Sequence, residues 1–358
     1  MPKRNAGAIV LVLGILVPSA SAAQRQVRGD DVLEWVGELR LEEREEALPV
    51  FPTLRRTPGG GWIVADRSEQ QVRLHALDGR LRRWFGRGGA GPGEFGRLVT
   101  AVQRRDGTVV TVDAGGRVAL RTADGDSVLR DHATGVTGIS GADVVSDTLL
   151  VVTGAPRVRD PGELSVPTTR LVDLQTGRVV WEGVRPYLTE SSVTVHVTLQ
   201  FGSVRTRGDT IAVTLPLVDT LYVFTPSTRA APRRLPIASR GLAATRALGY
   251  PAREMASMRE WLEQATVVAG VVPGGNAGWY IVLMRPGMQG TRGCGLVLLS
   301  SAGETRWEIE DSPCLVETDD AGRLYFAEPG SLEPGLFRVA RLRAGASGRS
   351  FRPELMRP

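Results

Sequence analysis

The chain has 358 residues, of which 42% are hydrophobic and 43 are glycine, so it can bury a core while turning often. Its net charge of +5 comes almost wholly from arginine, because Lys3 is the only lysine among its 44 basic residues. These arginines are spread along the chain with acidic residues between them. That distribution excludes the basic stripe expected of a nucleic-acid-binding protein.

The first 22 residues have the three parts of a secretory signal peptide. Lys3 and Arg4 form the charged start, residues 8–17 form an apolar stretch, and Ala20-Ser21-Ala22 offers a cleavage site. The apolar stretch is shorter than the roughly 20 residues that span a bilayer. We therefore expect an exported mature chain, periplasmic or extracellular, with no membrane span; an uncleaved anchor is the alternative.

Six times along the chain, a turn ending in Gly or Asp opens an apolar, β-forming run. These runs recur at intervals of 40 to 69 residues, and further β-forming runs follow each of them. Such a recurrence indicates one repeated unit of about the size of a four-stranded propeller blade. The six openers are GWIVAD (61–66), DGTVVTVD (106–113), SDTLLVVT (146–153), GDTIAVTL (208–215), GWYIVLM (278–284) and GRLYFAE (322–328).

The predicted fold is therefore all-β: a six-bladed β-propeller of four-stranded antiparallel blades, forming a single domain over 27–345. Residues 346–358 are expected to be a tail. The sixth unit lacks an outer strand of its own, and the segment 33–41 has the pattern of one. We predict that this N-terminal strand closes the ring, since closure removes exposed sheet edges. Deleting 27–45 should then collapse the whole fold.

One helix is predicted near 252–265, between the fourth and fifth units. Met255, Met258, Trp261, Leu262 and Ala265 share one face at helical spacing. The helix is expected at one mouth of the propeller. Two interpretations stay open: it is a lid or partner-binding element, or it packs on the blade edges.

The segment FGRGGAGPGEFGRL (85–98) carries the most specific local motif. Gly86, Gly88, Gly91 and the run Pro92-Gly93-Glu94-Phe95 form it, and Val64-Ala65-Asp66 precedes it in the second strand. With these residues the chain resembles NHL-repeat proteins, which are β-propellers, and more broadly exported six-bladed propellers of environmental bacteria. The motif covers only about residues 50–130. The resemblance implies a propeller fold and admits both binding proteins and metal-dependent lactonases or amidating lyases.

The same segment satisfies G-x-G-x-x-G at Gly86, Gly88 and Gly91. A dinucleotide fingerprint needs a helix that opens on the last glycine, inside a βαβ unit. Here Pro92-Gly93 and another strand follow instead. We therefore expect no nucleotide site and, more generally, no cofactor.

Ligand contacts in a propeller are expected on the innermost strands, which line the central channel. The innermost strands are predicted in 51–56, 98–105, 136–145, 198–206, 266–272 and 315–320. Their leading polar residues are hydroxyls and one amide, which can hydrogen-bond a ligand but make a poor cage for a divalent cation. These channel candidates are Thr53, Thr100, Thr137, Ser140, Thr198, Gln200 and Thr266.

A metal site finds little support in the sequence. The three histidines fall in different structural positions, and His75 is expected on a solvent-facing side of its strand. His196 alone is expected near the channel, and only Glu317 and Asp319 come close to a carboxylate pair there. If a metal is present, these last three residues are its weak candidates.

Cys294 and Cys314 are the only cysteines. Because we expect an oxidising compartment, an even count favours one disulfide between them. Two buried free thiols are the alternative.

Two functions remain open. The first is a non-catalytic, exported binding module for a protein, peptide or glycan, expected to be a monomer. The second is a metal-dependent hydrolase or lyase of the lactonase-like propeller type. The scarcity of carboxylates and histidines on the predicted inner strands favours the first, with no catalytic residue assigned.

Overall fold

Six four-stranded antiparallel sheets form a ring in the computed structural model, which confirms the six-bladed β-propeller. The structure describes residues 26–43, 53–91, 93–154, 167–186, 203–228, 230–251, 255–286, 293–327 and 335–346. The innermost strands contact one another in turn around the ring, and the last of them contacts the first. The six predicted inner strands are therefore the walls of one central channel.

The first three blades follow the sequence order from the innermost strand outward. Blade one contains β2 (Thr53–Arg56), β3 (Trp62–Asp66), β4 (Gln71–His75) and β5 (Leu81–Phe85). Blade two contains β6 (Leu98–Gln103), β7 (Val109–Asp113), β8 (Arg117–Arg121) and β9 (Val128–Ala133). Blade three contains β10 (Ile139–Val144), β11 (Leu149–Gly154), β12 (Thr169–Asp173) and β13 (Val179–Gly183).

Blades four and five have the same layout, and blade six takes its outer strand from the N-terminus. Blade four contains β14 (Ser203–Arg207), β15 (Thr210–Thr214), β16 (Thr220–Phe224) and β17 (Arg233–Pro236). Blade five contains β18 (Val267–Pro273), β19 (Trp279–Arg285), β20 (Gly293–Leu299) and β21 (Thr305–Ser312). Blade six contains β22 (Cys314–Thr318), β23 (Arg323–Ala327), β24 (Leu336–Leu342) and β1 (Leu33–Arg40).

Strand β1 closes the ring as the sequence predicts. It pairs antiparallel with β24, from Leu33 opposite Leu342 to Arg40 opposite Leu336. The flanking residues reach the neighbouring blades: Val27 N–H donates to Glu308 of blade five, and Glu42 N–H donates to Gly79 of blade one. One continuous segment therefore joins three blades.

The turn at Gly79 shows why glycine is needed at this closure. Its φ is +89°, in the left-handed region. A Cβ atom there would lie 2.0 Å from the carbonyl oxygen of Arg40, at the end of β1. Glycine thus allows the hairpin of blade one and the closing strand to approach closely.

The middle strands of a blade are covered on both faces, and this overturns the expectation for His75. We expected its side chain on a solvent-facing side, but it is 2% exposed and its Nδ1 lies 3.0 Å from Gly79 O. Arg73 on the same strand is also buried and pairs with Asp66 at 2.8 Å. Neighbouring blades pack on both sides of the strand, so alternation along it does not separate core from solvent.

The glycine-rich junction after blade one is a packed turn. The ring of Phe95 is buried and lies where a Cβ on Gly86 would be, 2.1 Å from its Cε2. Glu94 accepts from Gly91 N–H at 2.8 Å and from Arg87 Nε at 2.8 Å. The Glu94 side chain therefore accepts from a backbone N–H of the junction itself. Pro92 lies outside the described residues.

Two helices lie between blades four and five where the sequence predicts one. Helix α2 (Arg240–Leu248) was not expected, and α3 (Met255–Gln264) falls within the predicted 252–265. A four-residue helix, α1 (Gly29–Val32), precedes β1, and short 3₁₀ turns occupy Pro226–Thr228 and Gly275–Ala277.

The apolar face of α3 packs on the propeller. Met258 and Trp261 are 2% and 7% exposed and form a cluster with Ala265 and Val267. The indole Nε1 of Trp261 donates to Gly249 O at 2.7 Å, which ties α3 to the end of α2. These contacts correspond to the packing interpretation of the helix.

The disulfide joins Cys294 on β20 to Cys314 on β22, with a Cα–Cα distance of 5.1 Å. This confirms the predicted pairing and links blade five to blade six. Near the C-terminus, Ala346 is buried and its carbonyl accepts from Trp307 Nε1 at 2.9 Å. The packed unit therefore includes the first residue of the predicted tail.

Candidate functional site

A cavity of about 270 Å³ occupies the channel at the end where the innermost strands begin. We call it the channel cavity. All six blades reach it, because each innermost strand starts at this end. Its walls differ strongly in chemistry from one side to the other.

The polar side of the channel cavity comes from blades one to four. It combines hydroxyl groups with arginine side chains, and no carboxylate lies on this wall among the described residues. The polar side consists of Thr53, Arg55, Arg67, Thr100, Ser140 and Ser203.

The apolar side comes from blades five and six. The disulfide forms part of it, and small or flexible side chains form the rest. The apolar side consists of Ala269, Val271, Val282, Met284, Leu315 and the Cys294–Cys314 disulfide.

The channel candidates from the sequence divide into three groups. Thr53, Thr100 and Ser140 lie on the cavity wall. Thr137 precedes β10 and is not part of the wall, and Thr266 is turned away, bonded through its backbone to Thr245 Oγ1 at 2.7 Å. Thr198, Gln200 and His196 lie outside the described residues.

Two buried donors on the polar side lack hydrogen-bond acceptors. The Arg55 side chain is 9% exposed, and neither its Nε nor its Nη1 has a hydrogen-bond partner. Its Nη2 reaches Ala142 O at 3.4 Å. Thr100 is 1% exposed, and its Oγ1 has no partner either. Buried polar groups are nearly always hydrogen-bonded, so these donors are available to an acceptor from a ligand or from water in the channel.

Arg67 stands at the mouth of the channel cavity. Its Nε donates to Val99 O at 2.9 Å, and the residue stays exposed to solvent. Partial desolvation in the mouth and the positive charges of Arg55 and Arg97 lower the pKa of its guanidinium from the usual value. The two charge effects show that Arg55 and Arg97 lie close enough to Arg67 to repel its charge.

An ion network forms the floor of the cavity. Arg205 on β14 donates from Nη1 to Glu317 Oε2 at 3.1 Å and from Nη2 to Val316 O at 3.0 Å. The same carboxylate oxygen accepts from Arg56 N–H at 3.3 Å. Its other oxygen accepts from Thr318 N–H at 2.9 Å. Glu317 is therefore held between blades four, six and one.

Asp143 is the second carboxylate of the floor. Its Oδ2 accepts from Thr206 N–H at 2.8 Å and from Thr206 Oγ1 at 3.2 Å. Arg55 Nη1 lies 3.9 Å from the same oxygen. Burial raises the pKa of Asp143, and the charge of Arg55 opposes this shift.

Burial also raises the pKa of Glu317, to about 7, against the opposing charge of Arg55. Desolvation is the larger effect because the carboxyl is enclosed below the cavity. Glu317 therefore changes its charge near neutral pH. This property was not visible in the sequence.

The two carboxylates singled out for a metal are not brought together. Asp319 lies in the turn at the far end of β22, where its Oδ2 accepts from Arg323 Nε at 2.7 Å and Tyr325 Oη at 2.9 Å. His75 and His132 lie on β4 and β9, away from the channel. Within the described parts of the chain, no three His, Cys, Asp or Glu residues are placed to hold a metal ion.

Arg55, Arg205 and Asp143 were not predicted as site residues, since the sequence pattern pointed only to hydroxyls, amides and metal ligands on the inner strands. One signal was available: Arg55 and Arg205 each follow a buried aliphatic residue, Leu54 and Val204, in a predicted inner strand. In a chain with 44 basic residues, such arginines do not stand out.

No known sequence family matches this chain, and no curated protein matches it. Two solved structures are similar in fold, each with a TM-score of 0.61. One is a member of the DUF4221 family from Bacteroides vulgatus ATCC 8482, at 10% identity, covering 87% of this chain and 98% of its own. The other is a "Putative exported protein" from Bacteroides fragilis NCTC 9343, at 13% identity; the match covers 89% of this chain and 97% of that protein's chain. At these identities the similarity concerns the fold alone.

No helix in the described ranges has both the length and the apolar character needed to cross a bilayer.

Proposed function

We propose that this chain is an exported β-propeller that binds a ligand in the channel cavity and does not catalyse a reaction. The observation that carries the proposal is that Arg55 and Thr100, two residues of the cavity lining, have buried donors for which the structure shows no acceptor. Leaving buried donors unsatisfied costs free energy, and a ligand that supplies acceptors recovers it. A cavity of about 270 Å³ admits a small molecule or one protruding group of a peptide, protein or glycan.

The alternative, a lactonase-like hydrolase or lyase, is favoured by one observation. Glu317 has a pKa raised to about 7, which suits a general acid or base. Its carboxylate oxygens, however, accept from Arg205 and from two backbone N–H groups, and it lies below the cavity wall. A general base must reach the proton that it abstracts. The contacts of Glu317 therefore support a structural and electrostatic role.

The proposal includes export of the chain and its relationship to NHL-repeat propellers. Residues 1–22 would direct the chain out of the cytoplasm, where the Cys294–Cys314 disulfide is stable. The similarity in fold to a "Putative exported protein" agrees with this. The packed junction around Gly86 and Phe95 supports kinship with NHL-repeat propellers. We further propose that the mature chain is a monomer.

The test compares the mature chain with a variant whose cavity mouth is blocked. Thr53→Trp places a large ring on the wall at the mouth, where Thr53 is half-buried. Thr148→Trp is the matched control, since Thr148 is exposed in the turn after β10, at the opposite end of the channel. Each protein is screened by ligand-observed NMR against organic acids, amines, sugars and short peptides. Each is also assayed for turnover of lactones and aryl esters, with and without added Ca²⁺ or Zn²⁺.

Saturable binding that Thr53→Trp abolishes and Thr148→Trp retains, without turnover, is the expected result. Turnover that Thr53→Trp abolishes would replace the proposal with the enzymatic alternative. Binding that both variants retain, or no binding by any compound, would remove the cavity as the ligand site.

A further inference from the structure

We propose that the channel cavity binds one carboxylate group carried on a small apolar body. The carboxylate would lie against Arg55, Arg67 and Thr100, and the apolar body against the wall from blades five and six. This inference rests on the binding function proposed above and specifies the chemistry of its ligand.

The charges around the cavity favour a negatively charged ligand. Three arginines, Arg55, Arg67 and Arg205, line it. Two carboxylates, Asp143 and Glu317, lie against them in the floor. Even with both carboxylates ionised, the positive charges of these arginines outnumber the negative ones. The excess of positive charge favours an anionic ligand in this partly buried site.

The N–H and O–H donors on the polar side can each donate a hydrogen bond to a carboxylate oxygen of the ligand. Arg55 offers Nε and Nη1 without acceptors, and because these atoms lie on different edges of the guanidinium, a carboxylate bonds to one of them. Asp143 does not take this role, because its nearest oxygen is 3.9 Å from Arg55 Nη1. The Oγ1 of Thr100 supplies a further donor from the adjacent blade. These donors are buried, so a charge-assisted hydrogen bond to them is little screened by solvent.

The opposite wall determines the rest of the ligand. Ala269, Val282, Met284 and Leu315 present aliphatic carbon and a thioether to the cavity, beside the disulfide. Apolar surface of this kind favours a hydrocarbon body over a sugar, whose hydroxyl groups would lose water without finding partners. The volume of about 270 Å³ holds a body of a few carbons with its carboxylate.

Two sources supply this chemistry: a free short-chain organic acid, and the C-terminus of a peptide that ends in an apolar residue. Both place one carboxylate beside one small apolar group. The experiment distinguishes them.

The experiment is isothermal titration calorimetry on the mature chain with hexanoate as the probe. Hexanamide has the same body without the charge, hexylamine has the opposite charge, acetate lacks the body, and inorganic phosphate has a different anionic group. A tripeptide ending in leucine, with a free or an amidated C-terminus, tests the second source. We expect hexanoate or the free-ended tripeptide to bind, and each comparison compound to bind about tenfold more weakly or not at all.

Variants locate the binding within the cavity. Arg67→Gln removes the exposed charge at the mouth, and Thr100→Val removes the buried hydroxyl while keeping the shape. Each is expected to weaken hexanoate binding about tenfold, the usual effect of losing a hydrogen bond to a charged group. Arg82→Gln is the control, because Arg82 is an exposed arginine on the outer strand of the same blade. Thermal unfolding of each variant confirms that it is folded.

The outcomes separate this inference from the proposed function. Binding of either hexanoate or the free-ended tripeptide, with the expected effects of the variants, supports the inference and identifies the source of the carboxylate. Equal binding of hexanoate and hexanamide, or binding unaffected by Arg67→Gln and Thr100→Val, overturns it. An amine, a sugar or phosphate whose binding is abolished by Thr53→Trp also overturns the carboxylate inference, while the proposed binding function survives. If Thr53→Trp abolishes the binding of no compound, both the carboxylate inference and the proposed binding function are overturned.

Discussion

Arg205 and Glu317 form an ion pair across the channel, with 3.1 Å between Nη1 and Oε2, although their blades are not neighbours. Blade five lies between them in the ring. Asp143 and Arg55, 3.9 Å apart, face each other in the same way from blades three and one. Thr206 bonded to Asp143 links blades three and four. The ion network in the floor of the cavity therefore connects the blades at their inner edges.

Removing one partner of the Arg205–Glu317 ion pair should destabilise the fold. Glu317→Ala leaves the Arg205 charge buried without its carboxylate, and we expect a loss of about 3–5 kcal/mol in the free energy of unfolding. Urea denaturation followed by tryptophan fluorescence measures it. The double variant Arg205→Met/Glu317→Leu removes both charges and should lose less than Glu317→Ala alone. A double variant that loses as much stability as Glu317→Ala, or more, would contradict the ion-pair account.

The stability of the fold should fall as pH rises towards neutrality. The pKa of Glu317 is raised from 4.5 to about 7, so the folded chain binds this proton more tightly than the unfolded chain does. The resulting stabilisation is complete below pH 4.5, declines between pH 4.5 and 7, and is absent above; its size is roughly 3 kcal/mol. Asp143, also raised, acts with the same sign. Urea unfolding at pH 5 and pH 8 measures the difference.

Glu317→Gln is the control for this pH dependence, since it retains the shape without titrating. Its stability should change less between pH 5 and pH 8 than that of the unaltered chain. An unchanged slope in the variant would assign the titration to another group.

The closing strand should be indispensable. A chain that begins at Gln26 retains β1 and its bonds to blades five, six and one. A chain that begins at Glu43 lacks them and exposes the edge of β24. We expect the first to unfold cooperatively and the second to be unfolded or aggregated, as judged by circular dichroism and size-exclusion chromatography. Cooperative folding of the shorter chain would show that closure is dispensable.

The disulfide should contribute to stability by restricting the unfolded chain. It joins residues 20 apart, for which the chain-entropy relation gives about 3 kcal/mol. Cys294→Ala/Cys314→Ala should lose about this amount in urea denaturation. Reduction of the unaltered protein with dithiothreitol should give a similar loss, and the variant should not respond to the reductant.

Substitutions on α3 should affect stability more than ligand binding. Met258 and Trp261 are buried against Ala265 and Val267, so Met258→Ser should cost about 2–4 kcal/mol of stability. Arg259→Ser, at an exposed position on the same helix, is the matched control. Hexanoate affinity should remain unchanged in both variants. A change in affinity would restore the lid interpretation of the helix.

The blades could be predicted from sequence because their signals are local. Turn residues such as Gly61 and Asp147 mark each repeat, and the alternating runs after them define the strands. The closing strand was also predictable, since the sixth unit lacked one and the segment 33–41 had its pattern. The position of Thr53, Thr100 and Ser140 on the channel wall followed from their place at the start of inner strands.

The ion network could not be predicted in the same way. Arg205 and Glu317 are 112 residues apart, and they meet only because the ring closes. Arg73 and His75 illustrate the related difficulty, because a strand buried on both faces has no solvent side to which alternation could assign them. Helix α2 was missed because its sequence, rich in alanine and arginine, has a narrow apolar stripe, with only Gly241, Leu242 and Thr245 buried.

The place of the disulfide in the cavity wall has a consequence for how that wall is held together. Cys294 and Cys314 contribute wall surface beside Met284 and Leu315, so the bond between them fixes this part of the wall covalently. In a reducing cytoplasm the two positions would hold separate thiols, and blades five and six would lack their covalent link. The wall between these two blades would then be held by packing alone until the bond forms.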